Sequence, residues 1–413
     1  MSVSGKTVVV GITGGIAAYK MCEAVRLLVQ AGATVRVILT RAGAEFVTPL
    51  TLQTLSGNPV ARDTFDLNEE SKIGHIRLAD EAAALLIAPA TANMIAKLAA
   101  GMADDLLTTV VLATRAPVLV APAMNVHMYE NPVVRNNIAR LVEAGRIVIE
   151  PESGSLACGY EGAGRLPEPR LLVEEVAVAV SAKDLAGARV VVTAGPTLEA
   201  LDPVRHIANR SSGKMGYAMA RVARRRGAWV TLVSGPTVLE APRGVELVAV
   251  TSAREMENAV LREVTRSDVV IMAAAVGDYR PAAQAKHKIK RGRGALELQL
   301  VQNPDILASL RARSRECLLV GFAAETRDLV ANARRKLRAK GLDLVVANDV
   351  AAEGAGFDVD TNIVTLIGRG GRIERLPKMA KEDVAAAILD RVCAMRKSRE
   401  LAPATPRRKR RRP

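Results

Sequence analysis

The sequence predicts an α/β protein built from two tandem open-sheet domains of the kind that hold nucleotides. Three observations carry the prediction. The run KTVVVGIT (6–13) is a continuous β pattern that ends in Gly14-Gly15 and passes straight into a helical pattern. The run ARVVVTAG (188–195) does the same in mid-chain and ends in Gly195-Pro196. Aromatic residues make up only 2% of the chain, so the cores must be Val, Leu, Ile and Ala, which suits buried parallel strands. A chain of 413 residues has room for two or three domains.

The first half reads in order as strand, helix, strand. In IAAYKMCEAVRLLVQAG the apolar positions Ile16, Tyr19, Cys22, Val25, Leu28 and Val29 keep helical spacing, and Gly32 closes the helix. ATVRVILT (33–40) is the second strand, so the crossover is right-handed and the pair parallel. ALLIAPATANMIAKLAAG (84–101) is a strand, a Pro turn and a helix. DDLLTTVVLAT (104–114) is a helix, and APVLVAPAMN (116–125) a strand ending in a Pro-Ala-Met-Asn turn. The first loop is not GxGxxG; its Thr and backbone N–H groups at a helix start can hold a phosphate. These turns lie at strand C-terminal ends, where open α/β sheets bind ligands.

Three residues of this half have chemical potential. His75 is one of four histidines and sits near a helix start, where a surface or capping role competes. Asn125 ends a strand at the crevice mouth, a position that also suits a turn former. Cys158 lies in the Gly-rich loop SGSLACGYEGAGR, outside any packing pattern, which tilts it toward reactivity.

The second half begins after a polar linker near Lys183–Gly187 and repeats the plan. A loop rich in Gly and Ser leads to a helix from about Met215 to Arg226. RRRGAWVTLVSGPT, VELVAVTSAREMENAVLREV and SDVVIMAAAVGDYRP continue the strand–helix rhythm. KHKIKRGRGALELQLVQNPDIL (286–307) breaks it with period two. Lys286, Lys288 and Lys290 share one face, and two antiparallel strands joined at Gly292-Arg293-Gly294 are expected. A lysine row is ordinarily a solvated face, but this one follows a strand-end turn where a triphosphate would sit. A strand (317–326), a basic helix (327–340), a strand (342–349), a hairpin and a final helix complete the half.

The four cysteines are scattered with no CxxC, which argues against zinc and fits a reducing cytoplasm. No apolar run reaches ~18 residues and no signal peptide is visible, so no membrane span is expected. The net charge is +15, but residues 396–413 hold nine Lys or Arg against one Glu and so carry +8 of it. That Pro-rich tail is expected to be disordered, with at most loose binding to nucleic acid or an acidic surface. The expected divisions are 1–183, 187–396 and the tail 397–413.

GITGGIAAYK, GHIRLAD, APATANMIAKLAAGMADDLLTT, PAMN and the LACG loop together resemble the flavin-dependent cysteine decarboxylases. They are similar in particular to the phosphopantothenoylcysteine decarboxylase half of the bacterial bifunctional coenzyme A enzyme, over about residues 5–180. The resemblance implies a flavodoxin-like fold, FMN, and a homotrimer with its site between subunits. It implies His75 as the catalytic histidine, Asn125 as the carboxylate-binding asparagine, and Cys158 as a late proton donor. It implies FMN contacts at Thr13, Gly14, Gly15, Ile16, Thr40, Ala88, Pro89, Ala90, Thr91, Ala92, Asn93 and, more weakly, Thr109.

TAGPTLEALDPVRHIANRSSGKMG, AAAVGDYRP, KIK, NPDI and GFAAET resemble the phosphopantothenate–cysteine ligase half of the same enzyme, over about 187–395. That resemblance implies a Rossmann-like nucleotide-binding fold, a dimer, CTP and Mg2+. It implies Asn209 as the residue that handles an acyl-cytidylate and Lys288 as the residue needed to form it. Ala273, Ala274, Ala275, Asp278, Pro304, Asp305, Ile306, Leu307, Phe322, Lys336 and Lys340 match nucleotide contacts. Arg205, Ser211, Ser212 and Lys214 match phosphate contacts more weakly. Gly277 stands where the pattern has Ala. A trimeric half and a dimeric half on one chain would close as a dodecamer. Two other readings compete: an NAD-type oxidoreductase, which lacks the GxGxxG fingerprint, and a nucleic-acid binder acting through the tail, which lacks aromatic platforms.

Overall fold

A computed structural model describes residues 3–64, 74–155, 159–291, 295–314, 316–325, 327–349, 356 and 359–401. The chain forms two compact units, Met1–Ser181 and Ala182–Pro413.

The first unit is a six-stranded parallel sheet covered by helices on both faces. Its strands are β1 (Thr7–Ile12), β2 (Thr34–Leu39), β3 (Val60–Ala61), β4 (Ala84–Ala90), β5 (Val118–Pro122) and β6 (Ile147–Val148), in the order β3-β2-β1-β4-β5-β6. Without the two-residue edge strand β3, the order is that of a flavodoxin-like sheet, and the strand order reverses between β1 and β4. The helices are α1 (Lys20–Gln30), α2 (Pro49–Ser56), α3 (Gly74–Glu81), α4 (Ala92–Ala100), α5 (Leu106–Ala113), α6 (Val126–Glu130), α7 (Pro132–Glu143) and α8 (Pro169–Val180). A hairpin of β7 (Glu152–Ser155) and β8 (Glu161–Arg165) stands apart from the sheet.

The continuous apolar runs are explained by this layering. Val8, Val10 and Ile12 of β1 meet Met21, Val25 and Leu28 of α1 and Leu172 and Val176 of α8. Val9, between them, points to the other face, among Ile95 of α4 and Leu107 and Val110 of α5. All seven residues of β4 are buried. Each fully buried Leu or Ile contributes about 2 kcal/mol from its area. The helix starts are capped as their sequences direct: Thr91 accepts from Met94 N at 3.2 Å, and Asp105 with Thr108 forms a capping box.

The second unit contains an eight-stranded sheet. Its strands are β9 (Arg189–Ala194), β12 (Trp229–Ser234), β13 (Glu246–Ala249), β14 (Val269–Met272), β17 (Leu318–Glu325), β18 (Leu344–Asp349), β20 (Val364–Gly368) and β21 (Ile373–Arg375). The order β13-β12-β9-β14-β17-β18 is parallel throughout and has the Rossmann arrangement; β20 and β21 add antiparallel strands at one edge. One face carries α9 (Lys214–Arg225) and α13 (Lys381–Leu401). The other carries α10 (Ala253–Glu263), α11 (Ile306–Arg313) and α12 (Leu329–Ala339). Two small hairpins, β10 (Leu198–Ala200) with β11 (His206–Ala208) and β15 (Tyr279–Pro281) with β16 (Leu300–Gln302), rise from the sheet, and β19 (Thr361–Asn362) pairs with β22 (Met379–Ala380).

Two expectations differ from this structure. The lysine-rich stretch was expected to form two strands meeting at Gly292–Gly294, which lie outside the described residues. Pairing occurs instead at its base, between β15 and β16, and the described residues from 282 to 299 form no strand. Residues near Lys288 are held by side-chain contacts rather than by a ladder. The boundary at 396/397 also falls inside a helix, because α13 runs to Leu401. Arg399 anchors it by donating to Glu316 O at 2.6 Å and to the buried Asp343 Oδ1 at 2.7 Å. The remainder of the expected tail, 402–413, lies outside the described residues.

Candidate active sites

In the first unit a cleft of about 450 Å³ opens at the C-terminal ends of β1, β4 and β5. Gly14, Gly15, Ile16, Pro89, Thr91 and Ala92, all expected flavin contacts, line it together with Asn125. The cleft fits a planar, phosphate-bearing group. Ile16, Pro89, Ala92, Met124 and Met128 give it apolar walls, and Gly15 sits close to the β4 turn: an added Cβ would be in van der Waals contact, 3.8 Å from Pro89 Cγ and Thr91 Cγ2. At Gly14 a Cβ would fall 2.5 Å from Ala42 Cβ, so only glycine allows this approach.

The expected hydroxyls are engaged with the backbone. Thr13, 2% exposed, donates to Pro89 O at 2.6 Å and accepts from Thr91 N at 3.3 Å, tying the β1 and β4 loops together. Thr40 donates to Ile12 O and accepts from Gly43 N, both at 3.1 Å. Thr109 donates to Asp105 O at 2.7 Å within α5. Ala88 and Ala90 are fully buried, and Asn93 is exposed on α4. Of these residues none is in the cleft lining.

Asn125 caps α6: its Oδ1 accepts from His127 N at 2.9 Å. The β7–β8 hairpin abuts this segment. Met124 N donates to Gly164 O at 3.0 Å, and the His127 and Tyr160 rings meet edge to face at 5.1 Å. Tyr129, on α6, donates to Glu150 Oε2; burial and then this partner push its hydroxyl up to about 12. His75 is half-buried in the first turn of α3, which packs on α5, and lies outside the cleft lining. Cys158 lies outside the described residues.

Sequence reasoning missed two cations of this cleft. Lys20 Nζ binds Leu166 O at 3.3 Å and Glu168 Oε1 at 2.9 Å, and Arg165 reaches the same carboxylate at 2.6 Å. Lys20 above all, with Arg165, holds the Glu168 carboxyl below the ordinary range. The signal for Lys20 was present, since it ends the quoted GITGGIAAYK motif.

In the second unit a cleft of about 530 Å³ lies at the ends of β14 and β17. Ala274, Asp278, Pro304, Asp305, Ile306, Leu307, Phe322, Lys336 and Lys340 line it, so nine expected nucleotide contacts converge here. The turn after β14 is held from β9: Ala274 N donates to Thr193 Oγ1 at 3.1 Å, Ala275 N to Gly195 O at 2.9 Å, and Gly277 N to Thr197 Oγ1 at 3.0 Å. Ala273 and Ala275 belong to this turn but not to the lining. A Cβ on Gly277 would stand 3.6 Å from its neighbours, so the departure from Ala leaves the turn's shape intact.

Asp305 caps α11 through Ala308 N at 3.1 Å and pairs with Lys340. Burial works to raise the Asp305 carboxyl; Lys340, the Ala308 N–H and Lys336 outweigh it, and the net shift is downward. Lys336 Nζ donates to Phe322 O at 2.7 Å. Two lysines and a helix N-terminus thus face one cleft, the electrostatics that a polyphosphate requires. Asn303, the first residue of NPDI, was missed as a site residue. It joins the walls of the cleft, donating from Nδ2 to Gly277 O and from N to Asp278 O, both at 2.8 Å.

Asn209 donates to Val276 O at 3.0 Å, which brings it to the rim of this cleft. Arg205 is bound to Asp202 (Nε to Oδ2, 3.0 Å) and donates to Ile289 O. Lys214 pairs with Asp360 at 2.7 Å, and Ser211 Oγ accepts from Gly213 N at 3.3 Å. Ser212 precedes α9 and is half-buried, and Lys288 is exposed. Among the described residues no group of three or more His, Cys, Asp or Glu could hold a metal ion, and no helix is long and apolar enough to cross a membrane.

A family described as Flavoprotein matches residues 2–181, and one described as DNA/pantothenate metabolism flavoprotein C-terminal domain matches residues 185–395. The coenzyme A biosynthesis bifunctional protein CoaBC of Bacillus subtilis (strain 168) is 50% identical over 398 residues, 95% of this chain and 98% of that protein. The protein of the same name from Escherichia coli (strain K12) is 46% identical over 397 residues, with the same coverage. A crystal structure of the C-terminal domain of such a protein is 42% identical and covers 52% of this chain and all of its own, with a TM-score of 0.46.

Proposed function

This chain belongs to the family of bifunctional coenzyme A biosynthesis proteins, with a phosphopantothenoylcysteine decarboxylase half and a phosphopantothenate–cysteine ligase half, and on that premise we propose how its residues divide the work. The ligase half joins 4′-phosphopantothenate to cysteine with CTP. The carboxylate attacks the α-phosphate, giving an acyl-cytidylate and pyrophosphate. The cysteine amine then attacks the acyl carbon, the amide forms, and CMP leaves. A carboxylate is a poor acylating agent, and the mixed anhydride supplies the leaving group. The protein's part is to neutralise phosphate charge and hold the groups in line. Lys336 and Lys340 face the phosphates with the α11 N-terminus, Lys288 assists formation of the anhydride, and Asn209 holds it. Mg2+ would enter with the nucleotide as the counter-ion of its phosphates.

The decarboxylase half takes the product. The first cleft would hold FMN, which would supply reversible two-electron oxidation at the carbon beside the substrate thiol, so that carboxylate loss has an electron sink and the electron pair is returned to the product. Gly14, Gly15, Ile16, Pro89, Thr91 and Ala92, which line that cleft, would hold it. Asn125 binds the substrate carboxylate, Cys158 returns a proton, and His75 does acid–base work on the thiol from a second copy of the chain. That requirement favours a trimeric contact for this half, and with a dimeric ligase half a dodecamer in the cytoplasm.

The observation that carries the reading is the convergence on one cleft of nine residues expected from the sequence, two of them lysines, beside a helix N-terminus. Pyrophosphate release from CTP that depends on phosphopantothenate tests it. Release with cysteine absent is expected, since the first step does not need the amine. Release that requires NAD, or none at all, would overturn it.

A further inference from the structure

The loop that joins β10 to β11, Leu201–Arg205, is bonded at two points to the lysine-bearing arm. Ala285 N donates to Leu201 O at 2.9 Å. Ile289 N donates to Asp202 Oδ2 at 3.0 Å, while the Arg205 guanidinium reaches Ile289 O. Asp202 is the centre of this junction. It is 2% exposed, and its carboxylate accepts from Val204 N and Arg205 N at 2.8 Å and from Arg205 Nε at 3.0 Å as well. One carboxylate therefore fixes the hairpin turn, orients Arg205 and grips the backbone of residue 289. Lys288 and Lys290 flank the gripped residue. Asn209 immediately follows β11, a three-residue strand, so it lies roughly 10 Å from the turn. The arm has no strand ladder near Lys288, so these few bonds define where the lysine stands.

We propose that Asp202 is a positioning residue for the ligase reaction: it holds the Lys288 arm in register with the hairpin that carries Asn209. The inference rests on the reading of Lys288 and Asn209 given above. Asp202 does not touch substrate; it acts through the Ile289 backbone. Burial works to raise its carboxyl, but the N–H groups of Ile289, Val204 and Arg205 and the Arg205 charge outweigh it and hold the value at about 2, so the acceptor is ionised throughout the working pH range. Arg205, expected from the sequence as a phosphate contact, is here the second half of the same grip.

The test compares Asp202→Asn, Ile289→Pro, Lys288→Gln and the double variant Asp202→Asn/Lys288→Gln in the full chain. Each is assayed for phosphopantothenate-dependent pyrophosphate release and for decarboxylation of supplied phosphopantothenoylcysteine. Asp202→Asn keeps the volume but turns a donor toward Ile289 N and Arg205. Ile289→Pro removes the gripped N–H and leaves the buried carboxylate alone. Both should lower kcat of the ligase about 30-fold or more, with KM for CTP within about threefold, because a misplacement of ~1 Å costs on the order of 10²-fold in rate. Decarboxylation should stay at the wild-type level. The double variant should be no worse than Lys288→Gln alone, as for groups that act as one unit. If Lys288→Gln lowers kcat and neither Asp202→Asn nor Ile289→Pro does, the grip is refuted while the reading of Lys288 stands. If Lys288→Gln itself has no effect, the reading beneath the inference fails. A double variant in which the two rate losses multiply would place Asp202 in a separate role and overturn the proposal. Should Asp202→Asn fail to fold, Ile289→Pro decides alone.

Discussion

Gly164→Ala perturbs the decarboxylase site through a single backbone contact. Gly164 has φ +145°, and a Cβ added there would lie 2.2 Å from Met124 O and 3.6 Å from Asn125 C. Real Cβ contacts do not fall below 3.0 Å, so the strands must part by about 0.8 Å, and the atom in the way is backbone that no rotamer change can move. Met124 also donates its N–H to Gly164 O, so the β8 strand and the PAMN turn cannot separate without losing that bond. Asn125 would move with the turn, together with the start of α6 that it caps. A shift of this size at the group proposed to bind the substrate carboxylate predicts a fall in decarboxylation of about 10- to 100-fold. Overpacking adds a stability cost of about 1–3 kcal/mol. The assay is CO2 release from supplied phosphopantothenoylcysteine, with flavin absorbance measuring cofactor content and pyrophosphate release from the same chain as the internal control. Decarboxylation within about twofold of wild type, with the flavin still bound, would refute the claim that this turn holds the substrate.

Gly216→Ala should weaken the ligase unit, because its Cβ would stand 2.5 Å from Ala194 Cβ and 2.8 Å from Thr193 O where α9 crosses β9; a drop of about 1–3 kcal/mol in chemical denaturation checks it. Deleting residues 402–413 should leave both activities unchanged. Deleting 399–413 should lower ligase stability by about 1–2 kcal/mol, since Arg399 is removed from the buried Asp343, which keeps Arg311 and Leu319 N as partners; equal melting temperatures for the two truncations would contradict this. The folded-state value of Asp202 lies below the ordinary 3.8, at about 2, so its contribution is full above 3.8 and is lost as pH falls from there through about 2. The denaturation midpoints of wild type and Asp202→Asn should therefore differ by a constant amount from about pH 8 to about pH 5 and converge only below 3.8. A difference that already shrinks near pH 6 would contradict the assignment.

What the sequence made legible is what repeats along the chain. The strand–helix alternation and the strand-end turns at Gly14, Pro89 and Asn125 follow from local patterns, and the NPDI and GFAAET segments were marked by the family resemblance. Val8, Val9 and Val10 illustrate the limit of that reading. Their run marks a buried strand, but only the structure shows which residue faces α1 and which faces α5. The strand orders, and the edge strand β3, depend on pairings between distant segments. The lysine row misled because a period of two suggests a ladder, whereas the arm is tethered by a carboxylate more than 80 positions earlier in the chain. Asp202 attracts no notice in the sequence, as one acidic residue beside a proline; burial and four donors give it its weight. Thr13, Thr40 and Thr109 carry the reverse lesson. A hydroxyl near a cleft is as readily engaged by backbone carbonyls, and all three are.

The presence of two separate sites on one chain is tested most directly by a single pair of variants. Lys288→Gln should lower phosphopantothenate-dependent pyrophosphate release by about 10²-fold or more and leave decarboxylation of supplied phosphopantothenoylcysteine at the wild-type rate, and Asn125→Asp should do the reverse. If Lys288→Gln also stopped decarboxylation in protein that had kept its fold and its flavin, the two-site account would be wrong.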